Sequence, residues 1–132
     1  MVTYIGDSVN SSAVIAEPAG AALTGSQGRA VKYDAQGRVV LCSKAGEMAL
    51  GVLTMQSGEC RLGDDACVQI KDVGLCLSGA AIAKGAPLSV DAEGRVVTAT
   101  AGAFVLGVAL AASQAAGELI PVQIAKCGYA PA

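Results

Sequence analysis

Asp34-Ala35-Gln36-Gly37-Arg38-Val39-Val40 returns 57 residues later as Asp91-Ala92-Glu93-Gly94-Arg95-Val96-Val97. Each copy follows an apolar-rich stretch, opens with aspartate, carries glycine in fourth place and ends in a β-branched pair. Those are the demands of a tight hairpin. The aspartate accepts hydrogen bonds from backbone N–H groups ahead of it, and the glycine takes the left-handed conformation that closes the turn. A type I turn followed by a glycine bulge suits the twist of the flanking strands. This reading gives Asp34, Gly37, Asp91 and Gly94 structural work, so the tempting pair of aspartates is not needed as a general acid and base.

The duplication reaches well past the turn. Gly28-Arg29-Ala30-Val31 aligns with Gly85-Ala86-Pro87-Leu88 at the same offset of 57, and Gly20-Ala21-Ala22-Leu23 resembles Gly79-Ala80-Ala81-Ile82 upstream. Beyond the hairpin, Ala45-Gly46 matches Ala101-Gly102 and Leu50-Gly51-Val52 matches Leu106-Gly107-Val108, now 56 apart. Val68-Gln69-Ile70 matches Val122-Gln123-Ile124 at 54. A constant order with small slippage means two copies of one unit. The expected fold is all-β: a compact sandwich or barrel-like domain of two tandem repeats with hairpins, preceded by an extended N-terminal arm. The arm spans 1–19, and a single domain spans 20–132, with repeats at 20–78 and 79–127 and a short C-terminal tail. Each unit is too small to bury its own face, so the halves should share a core.

Strands are expected near 28–34, 37–42, 48–55 and 66–71, with a short return near 74–78, and then near 86–90, 94–99, 104–110 and 119–125. Alternation would send Phe104, Leu106, Val108 and Leu110 to one face and Val105, Gly107 and Ala109 to the other. Gly51 and Gly107 stand inside strands at matching places, which points to a shared close backbone approach more than to a ligand. In the arm, Asn10-Ser11-Ser12 and Pro18-Ala19-Gly20 are breaker chemistry around a short apolar stretch. That segment is either an extension that orders on a neighbouring subunit or a frayed terminus with one short edge strand.

Hydrophobic residues make up 53% of the 132 and charged ones 15%, where soluble domains usually carry about 25%. No apolar run reaches the roughly 18–20 residues of a membrane helix, and Met1 to Asp7 lacks the basic end and apolar block of a signal peptide. A chain this apolar is expected to cover surface against copies of itself or a large partner. Net charge is −2, with no basic cluster, no tryptophan and only four aromatic rings. Phosphate neutralisation and base stacking are therefore both unsupported, and neither nucleic acid nor membrane is expected as a partner.

Five cysteines (Cys42, Cys60, Cys67, Cys76 and Cys127) and no histidine argue for free, inert thiols in a reducing cytoplasm. The closest pair, Cys60 and Cys67, lacks zinc-knuckle spacing. Asp64-Asp65 with Glu59 reads as a solvated acidic loop, because the spaced ligands of a calcium loop are missing. Without histidine, a serine or cysteine nucleophile has no usual base, and no nucleophile elbow or phosphate loop occurs. No enzyme, cofactor or metal is expected. Arg38 and Arg95 follow the turn glycines; each either pairs with an acid of its own sheet or meets a partner's anion.

The ordered series Gly-x-x-Val/Leu-x-x-Asp-Ala-x-Gly-Arg-Val-Val, Ala-Gly, Leu-Gly-Val, Val-Gln-Ile resembles a family of tailed-bacteriophage capsid cement or decoration proteins. Gly85 to Val97, Ala101-Gly102, Leu106 to Val108 and Val122 to Ile124 carry it, as do their first-half counterparts, over roughly residues 20 to 127. The resemblance implies a structural virion protein, made in the bacterial host cytoplasm, that binds the major capsid protein on the outer surface of an expanded head. It implies a homo-oligomer, with a trimer favoured. Tyr4, Ile5, Arg38 and Arg95 are the possible partner contacts. The rival readings are another virion part, such as a head-fibre base or tail protein, and a small-molecule or carbohydrate-binding β module. The latter needs aromatic pocket walls that four rings can hardly supply.

Overall fold

The computed structural model describes residues 12–54 and 59–132, and those residues form ten strands with no helix. The first sheet is built from β1 (Val14–Pro18), β2 (Ala30–Tyr33), β3 (Val39–Leu41), β4 (Gly51–Leu53) and β5 (Asp65–Gln69), in spatial order β1-β5-β4-β2-β3. The second uses β6 (Asp72–Leu77), β7 (Pro87–Val90), β8 (Val96–Thr98), β9 (Gly107–Ala109) and β10 (Leu119–Ile124), in order β6-β10-β9-β7-β8. One topology is thus written twice, all of its ladders antiparallel. A parallel bridge joins Ala19, just after β1, to Val39 at the other edge of its sheet, and Ser78 meets Val96 in the same way. Each sheet therefore curls until its edges touch, which satisfies edge groups that a flat sheet would leave open.

The all-β expectation holds, with one difference in detail. Val14–Pro18, inside the stretch expected as an arm, is the short edge strand that one of the two readings of that segment predicts, paired along its length with β5. The return near 74–78, assigned to the first repeat, is β6 and pairs with β10. The chain thus changes sheet at Ile70-Lys71, ahead of the division drawn after residue 78. Apolar content could not reveal this, because β1 and β6 look alike only once their partners are known.

The alternation expected over 104–110 is not kept. Only Gly107–Ala109 is strand, Leu106 and Ala109 are both buried, and Leu110 is exposed. The stretch before β9 is held on two sides: Phe104 N–H donates to Gly46, while Val105 exchanges hydrogen bonds with Gly128 and Cys127 of the C-terminal tail. Burial from both sides erases a period of two.

The two cores divide unequally. One cluster (Leu23, Val31, Val39, Leu53, Ala66 and Val68 among its members) comes from the first half alone. The other is centred on Leu88, Val96, Leu106 and Val122 but also takes in Ala30, Cys42, Ala49 and Val52 of the first half. Backbone bonds seal the junction: Ala30 N–H to Gly94 O at 2.7 Å, Leu77 N–H to Gly28 O at 2.8 Å and Gly46 N–H to Val90 O at 2.9 Å. Apolar burial supplies the driving force here, and pairing of the backbone groups removes the cost of taking them out of water.

Candidate interaction surface

Both hairpins have the geometry of a type I turn with a glycine bulge. Gly37 N–H donates to Asp34 O and Asp34 N–H to Arg38 O; Gly94 and Asp91 do the same with Asp91 and Arg95. Asp34 Oδ1 accepts from the Gln36 and Arg38 N–H groups, and Asp91 Oδ1 from those of Glu93 and Arg95, all at 2.9 Å. Gly37 and Gly94 have φ of 76° and 77°.

The arginines differ. Arg95 Nε donates to Asp91 Oδ2 at 3.0 Å, and its Nη2 lies 3.2 Å from Glu93 Oε2. Arg38 has Gln36 where Arg95 has Glu93; its Nε stands 3.9 Å from Asp34 Oδ2 and is buried without a hydrogen bond among the described residues. The tips differ too. Gly94 is docked on Ala30, with Arg29 Nη1 donating to Glu93 O at 3.0 Å, whereas nothing lies within 4 Å of the place where a Gly37 side chain would start. Tyr4 and Ile5 lie outside the described residues.

Burial sets the thiols. It pushes Cys42 and Cys76 up to about 12 and raises Cys60, while Cys127 is exposed. Arg61 N–H donates to Asp64 Oδ2 in the acidic loop, and among the described residues no group of three potential ligands is gathered.

The two halves differ most on the outer face of one ladder. On the outer face of the β6–β10 ladder the pairs are Leu77–Leu119, Leu75–Pro121 and Val73–Gln123. The corresponding pairs of β1–β5 are Pro18–Asp65, Ala16–Cys67 and Val14–Gln69. Three leucines thus stand where the same fold elsewhere manages with alanine, proline and aspartate. Val73 (54% exposed), Leu75 (45%) and Leu119 (44%) remain open to solvent, with Leu110 nearby on the same sheet. Val73 and Leu75 also line a groove of about 260 Å³, opposite Val52, Leu53 and Thr54. Thr54 Oγ1 is buried there without a partner among the described residues. An uncharged apolar face of this kind is what a protein partner covers.

The phage cement protein family matches residues 59–124, and the chain belongs to that family. Comparison with curated protein sequences returns no match. Among solved structures, the head fibre gp8.5 N base of bacteriophage phi29 is similar with a TM-score of 0.61 at 16% identity, covering 85% of this chain and 92% of that one. That likeness is one of fold.

Proposed function

We propose that this chain decorates the outside of a phage head, binding the major capsid protein and stabilising the expanded shell without catalysing a reaction. One observation carries the reading: on the β6–β10 face Val73, Leu75 and Leu119 stand about half exposed where the first half has Val14, Ala16 and Asp65, an apolar surface that a partner would cover. Family membership supplies the class of partner. A cement protein needs broad contact with more than one shell subunit, and every such contact favours the assembled state by mass action. Several copies held in one oligomer, with a trimer favoured, raise avidity without a single strong site. Arg38 is better placed than Arg95 to meet a partner's carboxylate, because Arg95 is already engaged. Tyr4 and Ile5 complete the proposed contacts, as part of the segment leading into β1.

The test is binding of purified protein to expanded and unexpanded empty heads, with its mass in solution measured alongside. Binding to expanded heads alone is the expected result; equal binding to both, or to neither, would sink the proposal. Few charges are involved, so retention should change little at moderate ionic strength. A second reading, the base of a head fibre, draws on the likeness to the phi29 head fibre N base. Labelled protein spread over the whole shell supports decoration, and label confined to fibre sites supports the base.

A further inference from the structure

In the first half, Lys32 Nζ lies 2.9 Å from Glu47 Oε2 and donates to Ser43 Oγ at 3.0 Å, and Glu47 Oε1 accepts from the Ser43 and Lys44 N–H groups. This ion pair fills the outer face above β2 and β3. The corresponding positions of the second half follow from register and turn geometry. Ser89 pairs with Val97 as Lys32 pairs with Val40, and Ala103 N–H donates to Thr100 O as Glu47 N–H donates to Lys44 O. Lysine and glutamate are thus replaced by serine and alanine.

What remains there is a hollow of about 320 Å³, roofed by Ala45-Gly46 of the first half and lined by Ser89, Val97, Thr98, Thr100 and Asp91. Ser89 is 3% exposed as a residue and lines this hollow. A hydroxyl facing a hollow can both donate and accept a hydrogen bond. Asp91, whose carboxylate already holds Arg95 Nε, is among the residues lining the same wall.

We infer that this hollow is a socket for a lysine side chain of the capsid protein, which restores from outside the ammonium that Lys32 supplies in the first half. The inference rests on the capsid-binding reading above. The alkyl stem would lie along Val97 and Ala103, and the ammonium would donate to the Ser89 and Thr100 hydroxyls beside Asp91. A long chain with an apolar stem and a three-donor head matches such a wall.

The decisive variant is Ser89→Lys with Ala103→Glu, which fills the socket with the first half's own ion pair. Binding to expanded heads should weaken at least about tenfold, as expected when a buried anchor is shut out of its pocket. The melting temperature should not fall below that of the wild type. Ser89→Val, which exchanges the hydroxyl for two methyl groups, gives a second reading should the double variant fold poorly, and should weaken binding several-fold. Lys32→Ser with Glu47→Ala opens the same hollow in the first half and should leave head binding within about twofold. Acetylating the lysines of the heads should weaken the wild type more than the filled variant. Unchanged affinity of folded Ser89→Lys/Ala103→Glu or Ser89→Val overturns the socket while decoration stands. Equal sensitivity of wild type and filled variant to acetylation overturns the choice of lysine. Wild-type protein that does not bind heads removes both.

Discussion

Gly37 and Gly94 share a sequence setting and a φ near 77°, yet the structure gives them different neighbours. Alanine at 37 meets only the penalty of the left-handed region, about 1 kcal/mol. Alanine at 94 would in addition run into Ala30 O, 2.9 Å from its Cβ, and should cost about 1–2 kcal/mol more through the lost junction hydrogen bond. Urea titration of the two variants checks the difference, and equal losses would contradict the docked tip. Gly51 and Gly107 carry a different constraint. A Cβ there would press on the backbone carbonyls of Gln69 and Gln123, so Gly107→Ala should cost about 3 kcal/mol with no help from φ. Burial pushes the Glu47 carboxyl up, but hydrogen bonds from Lys32 and from the Ser43 and Lys44 N–H groups outweigh it and leave the group below the ordinary glutamate value. A depressed carboxylate contributes stability above its unfolded pKa that is lost as pH falls through its folded one. Glu47→Gln should therefore flatten the loss of stability below about pH 5, seen as melting temperature against pH. Among the thiols, Cys127 should react with a disulfide reagent in the native state, whereas Cys42 and Cys76, held protonated to about 12, should react only on unfolding.

The hairpins were legible as elements because aspartate, glycine and a β-branched pair at fixed spacing admit few backbones. The strands on either side of the sheet change were harder to place. β1 and β6 are edge strands, and what defines each is its partner across the ladder: Ile15 pairs with Val68, 53 residues further along the chain, and neither period nor composition marks that pairing. The same ladders decide which apolar residues are spare. Val73 and Leu75 sit on an exposed face, so Val73→Thr with Leu75→Thr should change stability by about 0.5 kcal/mol or less while weakening attachment to heads. A loss of stability with no loss of attachment would move the capsid contact to another face.

For the whole molecule, the unequal sharing of cores predicts how the chain comes apart. The second-half cluster needs Ala30, Cys42, Ala49 and Val52, whereas the first-half cluster draws only on its own residues. The intact chain should unfold in one transition, since neither half can lose structure without exposing the junction. A fragment of residues 72–132 should show no cooperative transition, and one of residues 1–71 should keep more strand signal by circular dichroism. Two separated transitions in the intact protein would contradict the shared core.

By itself the sequence determined the strand-rich class, the twin hairpins, the near-duplicate order of elements and the resemblance to cement proteins. Each of these is written in local chemistry: turn residues, β-branched pairs and glycines at fixed spacing. Only the tertiary structure decided that β6 opens the second sheet, that one hairpin tip is docked and the other open, and that Ser89 and Ala103 stand where Lys32 and Glu47 stand in the first half. Those facts depend on which backbones pair and which faces meet, and contacts between residues far apart in the chain leave no local pattern to read.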